Sequence, residues 1–418
     1  MALLVAILIE TFGLWFLNTH MTIPADRLAA SCWVLHFSVI HTFIALTFTP
    51  YNAAVISHEK MSIYAYVSIL EGCIKLAIAY LIALDVWADR LIFYSGAMCF
   101  SYLFISLVYL SYCISHFEEC RLRFTFDKSL FQRIGTFTGW NLVGSVSALL
   151  KDQGVNLLFN IFLGPAVNAA RGVSNQASGI AGQFSNGFMQ AITPQLTKSF
   201  ASGNHHYMYT LVNQGTRMGF FLFFLIALPV FIETDTIMSL WLVNVPVHTV
   251  AFIRITLIIL MLDQVISNPL ITIMLATGKI KNYQLVVGGL QLLSFPLAYI
   301  MLKLGATPEL VMIAVSFICC CCLVTRIHML HNMIGFPVKS YLKNVLAVIA
   351  LVILIASILP TIVYVVLPKG YFWSLIVCAT AILSASFTIW FIGLTHKERD
   401  SLKVKIADYL PFLKNKPK

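Results

Sequence analysis

The chain has 418 residues, of which 59% are hydrophobic and only 11% charged, with a mean hydropathy of +0.87. A soluble protein keeps about a quarter of its residues charged, so a water-soluble globule is excluded. The net charge of +10 lies mostly beside apolar runs, which points to membrane orientation and not to nucleic acid.

Runs of roughly 20 apolar residues recur along the chain, and each can cross a bilayer as a helix. The short alternating segments of a β-barrel are absent. The expected fold class is all-α, a polytopic membrane protein with about twelve transmembrane helices. The spans are expected at 2–17, 30–49, 62–84, 91–114, 136–163, 166–193, 211–232, 249–275, 283–303, 308–330, 342–367 and 371–394. Met1 to Ile9 is apolar but lacks a basic leader and a small-residue cleavage site, so no cleavable signal is expected.

The connections are short, and their basic residues alternate from side to side. One side holds Lys60, Arg121, Arg123, Lys128, Arg133, Lys198, Lys279, Lys281, Lys339, Lys343 and seven residues of the tail. The other holds only Arg27, Arg90, Lys303 and Lys369. Seventeen against four places the first side, with the C-terminus, in the cytoplasm. Residues 115–135 mix basic and aromatic residues and are expected to lie along the membrane surface. Arg217, Arg254 and Arg326 fall near span ends, where a long side chain snorkels to water.

Two stretches match at an offset of 219 residues, "PYNAAVISHEKMSIY" from Pro50 and "PLITIMLATGKIKNY" from Pro269. Pro50, Lys60 and Tyr64 align with Pro269, Lys279 and Tyr283. "ETFGLWFL" from Glu10 resembles "ETDTIMSLWL" from Glu233. These matches suggest duplicated halves in one orientation, an arrangement that places a transporter's substrate site between them. The expected organisation is an incomplete four-helix N-lobe at 1–114, the connection at 115–135 and a six-helix C-lobe at 136–331. Two additional helices at 342–394 and a basic tail at 395–418 follow. Two spans precede the second repeat and none precedes the first, so two N-terminal helices are expected to be missing.

The fifth and sixth spans are polar at membrane depth. On a helix at 100° per residue, Asn168, Arg171, Gly172, Asn175, Ser178, Gly179, Gly182 and Asn186 share a face. Ala170, Val173, Ala177, Ile180, Phe184 and Phe188 take the opposite one. In the preceding span Asn141, Ser145, Asp152 and Asn156 share a face, with Lys151 to one side. A charge at the bilayer centre costs about 2.5–3.5 kcal/mol or more, so two such helices argue for a water-filled cavity. Small and polar residues also glue transmembrane helices together, which is the competing explanation. Glu71 and Lys75 lie four apart and either pair with each other or serve a cavity. Asp263 is either an ion-coupling acid or a partner to another helix. The ten cysteines, including the block Cys319 to Cys322, show no metal-ligand spacing, and neither metal nor cofactor is expected.

The stretch "NAARGVSNQASGIAGQFSNGFMQAITPQLTKSFASGN" (Asn168 to Asn204), with "DQGVNLLFNIFLGP" before it, resembles oligosaccharide flippases of the polysaccharide transport type. These are the Wzx-like members of the MOP (multidrug/oligosaccharidyl-lipid/polysaccharide) exporter superfamily, with MATE-like architecture. The resemblance implies two pseudo-symmetric lobes around a central cavity in a bacterial inner membrane protein, lacking here the first two helices. It implies movement of undecaprenyl-pyrophosphate-linked oligosaccharide across the membrane by alternating access for surface polysaccharide (O-antigen or capsule) assembly. Arg171, Lys151 and Lys75 are then candidates for the pyrophosphate, since cations bind phosphate strongly in a low dielectric. Asn141, Ser145, Asn156, Asn168, Asn175, Gln176 and Asn186 suit sugar hydroxyls, with Asp152 and Glu71 beside them. Partners implied are membrane lipids, a coupling cation (H+ or Na+) and other polysaccharide-assembly proteins.

Three alternatives stand beside this. A cation-coupled drug exporter of the MATE family would want net acid in its cavity, whereas the deep residues here run slightly basic. A membrane enzyme would need a catalytic outer loop, and the longest, Glu233 to His248, has no lysine, arginine or suitable carboxylate pair. The last is a truncated remnant that no longer transports.

Overall fold

The structure is a computed structural model, and it describes residues 2–19, 27–84, 89–120, 128–396, 398–400 and 403. Among the described residues every regular element is helical. The helices are α1 (Ala2–Thr19), α2 (Leu28–Ser57), α3 (Met61–Ala83) and α4 (Arg90–His116). Then come α5 (128–163), α6 (Pro165–Ala201), α7 (His205–Ile232) and the short α8 (Thr234–Trp241). They are followed by α9 (Thr249–Ala276), α10 (Lys281–Lys303), α11 (Pro308–Ile334), α12 (Val338–Val366) and α13 (Tyr371–Gly393). All twelve expected spans therefore lie on helices.

Nine of these described helices are long and apolar enough to cross a membrane. The other three long ones have identifiable reasons for falling short. The apolar stretch of α1 is brief, covering Val5–Trp15. Helices α5 and α6 have the length but carry the polar residues noted above.

The expected boundaries differ from the observed ones mainly at the basic ends. Helix α2 runs on through Pro50 to Ser57. Helix α7 begins at His205 and α11 continues to Ile334. Residues 128–135, expected in a surface connection, are already the first turns of α5. Arg121 and Arg123, and the tail from 404 onward, lie outside the described residues.

The chain divides into two compact units, Met1–Phe126 and Asp127–Lys418. In the first, α2 packs against α1 and α4. Its core is small, comprising Val55, Val67, Ile105, Tyr109, Cys113 and Phe117. Asp89 caps α4 by accepting from the backbone N–H of Leu91 at 2.8 Å and Ile92 at 3.3 Å. Arg27 reaches the same carboxylate at 3.3 Å, tying the start of α2 to the start of α4. At the opposite end His58 stacks on Phe117 and contacts Glu119. The backbone N–H of its own turn, and then His58, hold the Glu119 carboxyl below its usual range.

In the second unit, Gly164 and Pro165 form the tight reversal between α5 and α6. Gly164 has a φ of +85°, open to a residue without Cβ, and Pro165 supplies the preset φ of a first helical turn. Helix α5 approaches α10 through small residues. A Cβ on Gly288 would meet Ser147 Oγ at 3.2 Å, and one on Gly144 would overlap the Gln284 amide. Helix α7 is the centre of the unit, with Met208, Val212, Phe220, Phe221 and Phe223 all buried. It packs against α6, α9, α12 and α13.

Gly393 of α13 abuts Phe221 of α7. A Cβ there would lie 2.6 Å from the Phe221 ring, which is held in the core. Gly393→Ala is expected to destabilise the protein by about 1–3 kcal/mol through overpacking. Thermal unfolding of the detergent-purified variant against the parent measures this.

The repeat has a local structural counterpart. Helix α2 ends at Ser57 and α9 at Ala276, and 276 − 57 = 219, the offset of the sequence match. Pro50 and Pro269 lie the same distance inside these helices, and Tyr64 and Tyr283 both sit in the first turn of the next. The second match is not structural. Glu10 lies mid-way along an unbroken α1, whereas Glu233 ends α7 before the separate α8.

Candidate functional site

Helices α5, α6 and α9 enclose a polar cavity of about 280 Å³. From α5 come Lys151, Asp152 and Gln153; from α6 come Arg171, Asn175, Gly179, Gly182 and Asn186. Helix α9 adds Thr256, Ile259, Leu260 and Asp263. The glycines on α6 leave room that side chains would fill, and the asparagines supply donors and acceptors.

Two of the three helices are locally unwound into a wider turn here. Residues Leu150–Gly154 in α5 and Met261–Ile266 in α9 make π-type turns. Such bulges are frequent at functional sites because they turn one side chain out of register. Lys151 and Asp152 are adjacent, yet the Lys151 side chain is 2% exposed and that of Asp152 is 53% exposed. The lysine points inward and the aspartate faces open space.

Lys151 donates to Asp263 Oδ2 and lies 3.6 Å from Asp152 Oδ1. The other Asp263 oxygen accepts from Arg326 Nη1 at 3.2 Å. Arg326 also donates to Ser267 Oγ at 2.9 Å and to Tyr283 Oη at 3.4 Å. Asp263 thus has its partners on two other helices, and each of its oxygens carries a cation. A metal ion at this carboxylate would first have to displace an ammonium or a guanidinium.

Arg326 was expected to snorkel from a span end. It is instead 2% exposed and bonded inside the protein through Nε and Nη1. Helix α11 extends to Ile334, about two turns beyond Arg326, so water is out of reach along the helix. Arg217 is corrected for the same reason: α7 starts twelve residues earlier, and Arg217 is buried against Glu398. Arg254 does behave as expected, reaching the exposed Asp235 at 3.2 Å and the Phe231 carbonyl at 3.1 Å.

Arg171 differs from the other deep cations. It is 4% exposed, and its Nε and Nη1 have no hydrogen-bond partner among the described residues. Its guanidinium carbon lies 5.6 Å from the centre of the Phe159 ring. The charges of Lys151 and Arg326 are matched by Asp263 and Asp152, and Arg171 is left as the surplus positive charge lining the cavity.

The remaining candidates divide. Asn141 faces α10, accepting from Gln284 Nε2 at 2.9 Å, and does not line the cavity. Asn156 Nδ2 donates to Gln153 Oε1 at 3.3 Å. Ser145 and Gln176 are exposed, and Asn168 is half-buried; none of them lines the cavity. Glu71 and Lys75 pair with each other at 2.6 Å in the first unit, both substantially exposed. Glu71 also lines a cavity of that unit, about 280 Å³, with Asn52, Tyr64, Ser68, Tyr102 and Tyr109.

The expected polar face of α6 lines the cavity through Arg171, Asn175, Gly179, Gly182 and Asn186, while Ser178 of that face turns to a packing seam. The stripe that packs inward is Ala170, Ser174, Ala177, Ser178, Ala181 and Ser185, and Ser174 Oγ meets Thr256 Oγ1 at 3.0 Å. Small residues set this stripe because they admit a neighbouring backbone closely. Ile180 and Phe184 are exposed, as expected of an outer face. Helix gluing and cavity lining therefore occupy different faces of one helix.

Residues that the pattern alone passed over are Thr256, Ser267, Tyr283 and Arg326. The signal for Arg326 was its distance from the next turn-former, Gly335, which places it two turns inside the helix.

No family model and no curated protein matches the chain. A solved structure described as the outward-facing conformation of a multidrug resistance MATE family transporter of the MOP superfamily is similar, with a TM-score of 0.61 and 13% identity. The match covers 81% of this chain and 77% of that one. The chain therefore has the all-helical fold of that MATE-type, MOP-superfamily transporter.

Proposed function

We propose that the chain is a membrane carrier whose cargo is an anionic, sugar-bearing lipid, and specifically a polyprenyl-pyrophosphate-linked oligosaccharide. It would move this cargo by alternating access across a bacterial inner membrane for surface polysaccharide assembly, with its C-terminus in the cytoplasm. The observation that carries the reading is Arg171, a buried guanidinium lining a polar cavity, with N–H groups that have no partner among the described residues. A buried cation of this kind is costly alone and is stabilised by an anion that reaches it. The asparagines beside it, Asn175 and Asn186, match sugar hydroxyls. In this reading the cavity would take the phosphosugar headgroup, while longer glycan and lipid portions would extend outside it.

The lobes and the two additional C-terminal helices fit this scheme as parts of one carrier, with H+ or Na+ as the coupling ion. The fold likeness to a transporter named for multidrug resistance favours a second reading, export of cationic drugs. Charge separates the two, because a cationic cargo would meet an unpaired arginine.

The test is reconstitution of the full chain in liposomes that contain a fluorescent polyprenyl-pyrophosphate sugar. Protein-dependent exchange of the label between leaflets is expected. Exchange no faster than in empty liposomes, together with uptake of a cationic aromatic dye, would replace the flippase reading with the drug-exporter one.

A further inference from the structure

A second cavity, of about 740 Å³ and part polar, part apolar, lies away from the candidate cargo site, at the end of α7 that carries its first turns. Helix α7 contributes Thr210, Asn213, Gln214 and Arg217, and α12 contributes Asn344. The chain beyond α13 closes it with His396, Glu398 and Arg399. Lys198, Lys339 and Lys343 mark this as the basic end of the unit.

The closing segment is held by two local devices. Thr395 and Glu398 form a reciprocal capping box: Thr395 N–H donates to Glu398 Oε2 at 2.8 Å, and Glu398 N–H donates to Thr395 Oγ1 at 3.4 Å. Glu398 Oε1 then accepts from Arg217 Nη2. Both carboxylate oxygens of Glu398 are therefore occupied. Arg217 is more than nine-tenths buried, and its Nε has no partner among the described residues. Arg399 Nε is likewise buried and without one. Arg217 is neutralised by Glu398, so Arg399 is the net positive charge in the cavity. Its N–H groups, the Nε of Arg217, the amides of Asn213 and Gln214, and the second N–H of Asn344, whose Nδ2 also donates to Ser340 Oγ at 3.0 Å, are donors of the kind that hold phosphate oxygens.

The opposite wall is apolar. Val348, Phe391 and Ile392 line the cavity, and Phe391 is 55% exposed on the outer surface of α13. A cationic pocket continuous with an apolar helix face suits a phosphate group that carries an acyl chain. We propose that this cavity is a phosphoryl-anion site, occupied by the phosphate of an anionic membrane lipid whose chain lies along α12 and α13. It goes beyond the cargo reading, because it uses none of the residues of the Lys151 and Arg171 cavity. Such a lipid would pin the segment after α13 against α7.

The experiment is native mass spectrometry of the full chain released from mild detergent, after titration with phosphatidylglycerol, with phosphatidylcholine or with inorganic phosphate. Thermal unfolding is followed in the same three arms. Retention and stabilisation with phosphatidylglycerol above phosphatidylcholine identify a lipid source, and the same response to phosphate alone identifies a free anion at the same site. Arg399→Gln, on the partly exposed edge, is expected to weaken the responding ligand about tenfold, the loss of one charged hydrogen bond. Asn344→Ala is a second, milder variant that keeps the Arg217–Glu398 tie. No preferential binding in any arm, or equal binding by parent and both variants, overturns the proposal.

Discussion

Asp263→Asn is expected to destabilise the protein by roughly 3–5 kcal/mol, the usual consequence of removing one partner of a buried ion pair. The substitution preserves shape and removes only charge, so cavity formation does not contribute. Lys151 and Arg326 would then face each other, each 2% exposed, across a neutral amide. Asp152 cannot replace Asp263 because it lies 3.6 Å from Lys151 with its side chain 53% exposed, and it makes no ion pair with Arg326 among the described residues. The measurement is thermal or denaturant unfolding in detergent, with Lys151→Met added as the second step. Removing the lysine as well should recover part of the loss, because one orphaned charge disappears. If the double variant is less stable than Asp263→Asn alone, Lys151 contributes more through packing than through charge. Glu71→Gln is the contrasting case: its pair with Lys75 is substantially exposed, and pairs of that kind contribute about 0–1 kcal/mol.

This cluster shows where the sequence is legible. Its members Lys151 and Asp263 stand out because ionisable residues inside long apolar runs are rare. Their pairing does not, since the partners are 112 residues apart and Asp263 and Arg326 are 63 apart. One sequence carries no information on which helices face each other. The helices themselves were legible because lipid leaves the backbone no alternative to internal hydrogen bonding. Their basic ends were not, because a helix continues past the last apolar residue while its lysines and arginines still reach water. That error moved Arg217 and Arg326 from the interior to the surface in the sequence-based picture.

The polar, cavity-lining face of α6 was legible and its packing seam was not. A wheel at 100° per residue groups Asn175, Gly179, Gly182 and Asn186, and these do line one cavity. It cannot tell that Ala170, Ser174, Ala177 and Ser185 form the packing seam, since serine and alanine fit a wet face or a tight one equally well. In α5 the wheel fails for a different reason. The wide turn at Leu150–Gly154 resets the register, so that Asn141 before it turns to Gln284 while Asp152 within it lines the cavity.

Arg171→Ala should separate binding from stability. The guanidinium is buried with two nitrogens that have no partner among the described residues, so its loss removes a desolvated charge with few compensating contacts. The contact with Phe159 is what remains to be lost, about 0.5–2 kcal/mol for a cation over an aromatic ring. Stability is therefore expected to change little, in contrast to Asp263→Asn. Binding of a pyrophosphate headgroup should fall by about 10- to 100-fold, the equivalent of one or two charged hydrogen bonds. Arg171→Lys keeps the charge but replaces a planar fork by a point charge, so recovery should be partial. The measurement pairs unfolding with leaflet exchange of the labelled polyprenyl-pyrophosphate sugar at several concentrations. If Arg171→Ala unfolds early, the residue is structural; if it exchanges cargo like the parent, the cation that meets the pyrophosphate lies elsewhere. Loss of exchange at unchanged stability, relieved by lysine, is the combination that an anion-binding role requires and a packing role does not produce.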